Sequence, residues 1–97
     1  MTSPEPIVQH LPDEQRYELR RGEAHAILTY QRDETRIVYD HTFVPVEFRG
    51  QGVAEKLVRA ALADARTENL QVVPQCSYVE KFIARHSEFQ DLLAADS

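Results

Sequence analysis

Arg49-Gly50-Gln51-Gly52-Val53-Ala54, the single cysteine Cys76 and the strand histidine His41 are the residues whose types and spacing could do chemistry in this chain. Two of its three glycines stand at positions 50 and 52. They follow a β-branched and aromatic stretch that stops at Pro45, and they precede a run with helical periodicity. A strand, a glycine-rich turn and a helix start make an anion site from backbone alone. The first N–H groups of a helix have no internal acceptor, and the helix dipole adds roughly half a positive charge there. Glycines let the backbone approach a phosphate closely and adopt positive φ. The turn lacks the Gly-Lys-Ser/Thr ending of a Walker loop. It also lacks the third glycine of a dinucleotide fingerprint. An ordinary strand-to-helix turn, with glycines for tight geometry, is the competing reading.

Cys76 follows a short apolar segment closed by Pro74 and immediately precedes Ser77, a candidate helix N-cap. A thiol at a helix N-terminus can have a lowered pKa and act as a nucleophile. A buried, inert cysteine is the competing reading. His41 lies on the strand that leads into the glycine turn. Free imidazole titrates close to neutrality, which suits removal of a proton from an ammonium acceptor. A strand histidine held by a neighbour is the alternative. Tyr78 could donate to a leaving thiolate, but an aromatic at a helix start is more often packing. Asp40 and Glu47 lie close in sequence and read by default as solvated charges. His10, His25 and His86 make no metal-ligand spacing, and one cysteine is too few for a zinc site, so no metal is expected.

The elements that must position these residues can be read from periodicity. Ile7 to Leu11 reads as a short first strand ended by Pro12. Gln15 to Arg21 alternates, with Tyr17 and Leu19 on one face and Arg16, Glu18 and Arg20 on the other. Gly22 supplies a turn. Ala24, Ala26, Leu28 and Tyr30 share one face of a third strand, and Arg32-Asp33-Glu34 is a polar turn. Thr35 to Val44 is predicted as a strand with Ile37, Tyr39, His41 and Phe43 on one face and Val38, Asp40, Thr42 and Val44 on the other. The short connections imply an antiparallel meander of about four strands. The period then changes. Val53, Leu57, Val58, Ala61, Leu62 and Ala65 recur at helical spacing, with Asn69 as a left-handed stop. Leu70 to Val73 completes a βαβ crossover and should run parallel to Thr35–Val44. Ser77 and Glu80 fit a capping box for a C-terminal helix whose apolar stripe is Val79, Phe82 and Ile83. Phe89, Leu92 and Leu93 suit a final packed turn. The fold class is α/β of the α+β kind.

The order of four pieces gives a resemblance. They are Gly22-Glu23-Ala24, His41-Thr42-x-Val44-Pro45, Arg49-Gly50-x-Gly52-x-Ala54 and Val73-Pro74-x-Cys76-Ser77-Tyr78-Val79. Arg49-x-x-Gly52-x-Ala54 after a Val-Pro strand end resembles the Q/R-x-x-G-x-G/A acyl-CoA motif of the GNAT acetyltransferase superfamily. The chain is most similar to the small single-domain GNAT-like N-acetyltransferases of about this length, over residues 7–93. The resemblance implies a short GNAT fold in which the strand ending at Val44 splays from the parallel strand Leu70–Val73. Acetyl-CoA would lie in the gap. Its pantetheine arm would pair with backbone near Phe43 and Val44, and its pyrophosphate would sit on the N–H groups of Arg49, Gly50, Gln51, Gly52, Val53 and Ala54. Cys76 would lie near the thioester, either as an acyl carrier or lining the acetyl site. The chain is too short for the helices that usually follow the first strand and shape the acceptor pocket, so the acceptor amine stays open. A non-catalytic acyl-CoA-binding protein is the main alternative. A small α/β interaction domain is the third reading.

Composition bounds these readings. The length of 97 residues suits one domain, expected over residues 7–97 with a loose, disordered tail at residues 1–6. Apolar residues make up 42% and charged residues 28%, an ordinary soluble balance. The net charge of −5 argues against a nucleic-acid partner. Residues 1–48 hold 5 basic and 9 acidic groups, a net of −4, whereas residues 49–97 hold 6 and 7, a net of −1. The acidic half could favour a cationic acceptor, and the half with the glycine turn stays near neutral. No apolar run reaches the roughly 20 residues of a membrane span, and no signal peptide is recognisable at Met1–Pro6. A single cysteine fits a reducing compartment, so the expected location is cytoplasmic. An exposed first strand could pair with a second copy, so a monomer or a weak homodimer is expected.

Overall fold

The computed structural model describes residues 8–94. The expected tail at residues 1–6 and Ile7, the expected start of the first strand, lie outside the described residues. The elements are β1 (Val8–Leu11), β2 (Arg16–Arg21), β3 (Ala24–Arg32), β4 (Arg36–Phe43), α1 (Val53–Thr67), β5 (Gln71–Pro74) and α2 (Ser77–Arg85). Short 3-10 turns cover Pro12–Glu14, Val46–Phe48 and Ser87–Leu92. One mixed sheet runs in the order β1-β2-β3-β4-β5. Its first four strands form the antiparallel meander, and β5 joins β4 in parallel from Arg36↔Gln71 to Tyr39↔Pro74.

The core lies between the sheet and α1. Tyr17, Leu19, Ala26, Leu28, Tyr30, Ile37 and Tyr39 meet Val53, Leu57, Val58, Ala61, Leu62 and Ala65. The alternation of β2 and the helical stripe of α1 are therefore the two halves of one apolar layer. Two hydroxyls stitch the layers together. Tyr39 donates to Ala61 O at 2.8 Å, and Tyr17 donates to Asp64 Oδ2 at 2.8 Å. Burial raises the pKa of both phenols, and the bond to Asp64 adds to the rise for Tyr17. α2 packs beside α1, with the Arg59 guanidinium over the Phe82 ring.

Helix α1 ends as the sequence predicts. Asn69 has φ of 57°, and the paired bonds Leu70 N–H to Ala65 O and Asn69 N–H to Arg66 O close a Schellman motif. Elsewhere the structure corrects local expectations. Arg32 belongs to β3, where it pairs with Ile37, rather than to the following turn. Gln15 has a left-handed φ of 53° and ends the preceding turn, so β2 begins at Arg16. Cys76, not Ser77, is the N-cap of α2, and no side-chain cap bond forms. The capping box is thus absent, because Ser77 already lies in the first turn of the helix.

The largest correction concerns β4. Its register against β3 slips between Thr29 and Tyr30, so that Tyr30 faces Tyr39 but Thr29 faces His41. Asp40 is the extra residue of a β-bulge. Strict alternation puts His41 and Phe43 on the core face with Ile37 and Tyr39. The bulge instead turns Thr42, opposite buried Leu28, toward the helix side, and leaves His41 and Phe43 exposed on the other. The Asp40 carboxylate is fixed there by the hydroxyl of Thr29 and by Gln31 Nε2.

Candidate functional site

The glycine turn is built from the core outward. Phe48 is buried (1% exposed) and pins the segment after β4 to the sheet. The N–H groups of Phe48 and Arg49 close the turn onto Pro45 O and Val46 O. Gln51 then ties it sideways: its Nε2 donates to Glu47 O at 2.9 Å, and its Oε1 accepts from Arg21 of β2. Gly50 and Gly52 have φ of 77° and 69°, values that strain any side chain but glycine's. A Cβ at either would meet nothing within 4 Å, so the backbone angle, not crowding, calls for glycine. Gly52 is the N-cap of α1 and offers no side-chain cap. The first helical bond runs from Lys56 N–H to Gly52 O. The N–H groups of Val53, Ala54 and Glu55 therefore have no acceptor within the helix and point out of its end.

Charge agrees with that geometry. Arg49 lies just before the helix start, and Lys56 lies in its first turn. Neither has a carboxylate partner among the described residues. A helix dipole disfavours cations at this end, so their presence leaves the turn receptive to an anion.

The second part of the site is the gap between β4 and β5. Their ladder ends at Tyr39↔Pro74, and one further bond, Cys76 N–H to Tyr39 O at 2.8 Å, closes it. Beyond that point β4 continues to Phe43 along β3 alone, while the chain after β5 turns into α2. The strands thus part where a ligand arm could enter. Phe43 is half exposed and Val44 is partly buried at the mouth of the gap. Cys76 is partly buried, and its Sγ lies 3.2 Å from Thr42 Oγ1. Thr42, which sequence reasoning gave no role, is therefore the β4 side chain that reaches the cysteine. His41 is not: the bulge turns it to the opposite face. Tyr78, in the first turn of α2, is exposed, and burial of its phenol and the nearby Glu55 carboxylate raise its pKa. A depression of about 380 Å³ between β5 and α2, lined by Val73, Pro74, Ile83, Ala84 and Leu93, touches none of the predicted cofactor-binding residues. Among the described residues no cluster of three or more His, Cys, Asp or Glu side chains could hold a metal. None of their helices is long and apolar enough to cross a membrane.

A helix-start anion turn beside two parting parallel strands is what the GNAT resemblance implies, and comparison with known proteins agrees. A family model described as GCN5-related N-acetyl-transferase matches residues 16–92. The chain belongs to that family. Protein NATD1 of Bos taurus is 35% identical over 79 residues, covering 78% of this chain and 70% of that protein. Protein NATD1 of Mus musculus is 34% identical over the same length, covering 78% and 72%. The NMR solution structure of a GCN5-like protein from Staphylococcus aureus superposes with a TM-score of 0.76 at 29% identity, over 95% of this chain and 91% of that one. The family match spans β2 to β4 of the meander, the glycine turn, the crossover and Cys76, so fold and turn are parts of one family plan.

Proposed function

We propose that this member of the GCN5-related family transfers an acetyl group from acetyl-CoA to an amine. The observation that carries the reading is the glycine turn: a helix start with outward N–H groups, two left-handed glycines and unpaired cations, next to strands that part. The N–H groups of Gly50, Gly52, Val53 and Ala54 take the pyrophosphate, with the Arg49 side chain beside it; those of Arg49 and Gln51 already bond Val46 O and Phe48 O. The backbone at Phe43 and Val44 pairs with the pantetheine arm as an added strand would. The thioester then lies by Cys76 and Thr42. Its carbonyl carbon is attacked either by the acceptor amine directly or first by the Cys76 sulfur. In the second route the C–S bond to CoA breaks as the bond to Sγ forms, and CoA leaves as its thiol. The amine then displaces Sγ, forming the amide and restoring the cysteine thiol. Removing a proton from the ammonium acceptor falls to a base; His41 is the candidate, and because it is exposed on the face opposite the Thr42–Cys76 contact it can serve only an amine that enters the gap from that face. The single cysteine suits a cytoplasmic protein.

Three measurements test this. Acetyl-CoA should shift the amide resonances of residues 43–54; unshifted spectra at millimolar ligand would sink the acyl-CoA reading. Incubation with acetyl-CoA and a panel of amines and polyamines should release CoA thiol. Binding without release would instead make the chain an acyl-CoA-binding module. Cys76→Ala and Cys76→Ser separate the two routes. If the cysteine carries the acetyl group, both lose most turnover, and intact mass spectrometry of the wild type with acetyl-CoA shows one added acetyl group. Retained turnover leaves direct attack.

A further inference from the structure

We infer that the shallow pocket between the first turn of α1 and α2 holds the 3′-phosphate of the CoA nucleotide, through Lys81 and Arg85. The inference rests on the acyl-CoA reading above and concerns a part of the ligand that the glycine turn does not reach. The pocket, of about 160 Å³, is lined by Glu55, Tyr78, Lys81, Phe82, Arg85 and His86. Its α1 wall, Glu55, is three residues past Gly52, so the pocket begins where the anion turn ends. Tyr78, Lys81 and Arg85 are spaced i, i+3, i+7 and form one exposed stripe of α2, beside the buried stripe of Val79, Phe82 and Ile83.

The distribution of charge singles out this stripe. Of the eleven Lys and Arg residues, Arg16, Arg20, Arg32, Arg59 and Arg66 each have a carboxylate partner. Arg21 bonds Gln51, and Arg36 is engaged as well. Among the described residues the four with neither a carboxylate nor a side-chain hydrogen-bond partner are Arg49, Lys56, Lys81 and Arg85. All four belong to the glycine turn, the first turn of α1 and α2. In a chain with sixteen acidic groups and a net charge of −5, cations left unpaired together mark a site for an anion from outside. Sequence spacing reinforces this. No acidic residue of α2 lies three or four places from Lys81 or Arg85, and the two cations stand four apart, a like-charge spacing that weakens a helix. Arg85 complements the C-terminal helix dipole, but Lys81 sits mid-helix, where the dipole offers it nothing. Glu55 on the facing wall already receives Arg59 Nε at 3.2 Å.

A phosphate monoester, with about two negative charges near neutral pH, turns the Lys81–Arg85 repulsion into a clamp through charge-assisted hydrogen bonds. CoA carries such a group on the ribose of its nucleotide, beyond the pyrophosphate. The exposed Tyr78 ring on the same stripe offers a flat surface for the attached adenine.

The test is calorimetric titration of CoA and 3′-dephospho-CoA into wild type, Lys81→Ala, Arg85→Ala and the double variant. Circular dichroism serves as the folding control, since both side chains are exposed. Wild type should bind CoA about 5- to 30-fold more tightly than dephospho-CoA, the range expected for two solvent-exposed charge contacts. The double variant should bind both ligands alike, with the wild-type affinity for dephospho-CoA. The preference should also shrink with added salt. Three results overturn the inference alone: no wild-type preference, a preference that survives in the double variant, or equal loss of both ligands. Wild type binding neither ligand overturns the acyl-CoA reading and this inference with it.

Discussion

Replacing Gly52 by alanine isolates what the left-handed N-cap contributes. At φ of 69° an L side chain sets its Cβ against its own carbonyl, at a cost of about 1–2 kcal/mol. No clash adds to it, because a Cβ there would meet nothing within 4 Å, and the lower unfolded-chain entropy of alanine offsets only part of it. For a domain of this size a urea m-value of about 1.5 kcal/mol/M turns that cost into a midpoint lower by roughly 1 M. Gly52→Asn should lose less than half as much, since asparagine visits this region more readily. Both variants keep α1, whose stability comes from its buried stripe. If the turn relaxes to relieve the strain, the N–H groups of residues 52–54 lose their common direction, and acetyl-CoA affinity falls with stability. Urea unfolding followed by far-ultraviolet circular dichroism gives the midpoints, and calorimetry gives the affinity. An alanine midpoint within about 0.2 M of wild type would refute the assigned backbone strain. An asparagine variant as unstable as the alanine one would refute it too, by showing that the loss is not about φ.

Phe48→Ala should cost about 3–5 kcal/mol, as for other buried phenylalanines, and should lower acetyl-CoA affinity because Phe48 anchors the turn; a loss under about 1 kcal/mol in urea unfolding would contradict that anchoring role. Tyr39→Phe should cost about 1 kcal/mol by deleting the bond to Ala61 O. Burial raises the folded pKa of Tyr39, so its contribution is full below the ordinary tyrosine pKa of about 10 and is lost as pH rises beyond it. The wild type should therefore lose stability above that pH more steeply than Tyr39→Phe, and parallel alkaline profiles would exclude the effect. Asp91 takes both Arg66 Nη atoms at 2.9 and 3.0 Å, and those bonds lower its pKa. The sign is opposite to that of tyrosine: the contribution is present above the ordinary carboxylate pKa of about 4 and is lost as pH falls through the lower folded value. Asp91→Asn should be the less stable protein at neutral pH and should converge on wild type in strong acid; a gap that does not change with pH would show that the pairing is not ionic.

The sequence by itself determined what depends on neighbours along the chain. Gly50 and Gly52 announce positive φ because few other residues adopt it, and both have it. Asn69 marks the end of α1 for the same reason. The repeat of Val53, Leu57, Val58, Ala61, Leu62 and Ala65 fixes which face of the helix is buried, since 3.6 residues per turn leave one stripe. The alternation in β2 does the same with a period of two. From these the meander, the crossover and the glycine turn could be read.

Tertiary structure decided what depends on residues far apart. The bulge at Asp40 leaves no local mark, because every residue around it suits a strand. Only pairing with β3 shows that the register slips, and one inserted residue inverts each side chain after it. Periodicity therefore put His41 on the core side and gave Thr42 no role, whereas in the fold Thr42 meets Cys76, 34 positions on. The same holds for charge. A count gives a net of −5, but which cations lack a carboxylate is settled by contacts across elements. Composition cannot distinguish a paired arginine from an unpaired one. Folding separates them, because an ion pair needs its partners within a few ångströms in space, and chain order does not set that distance.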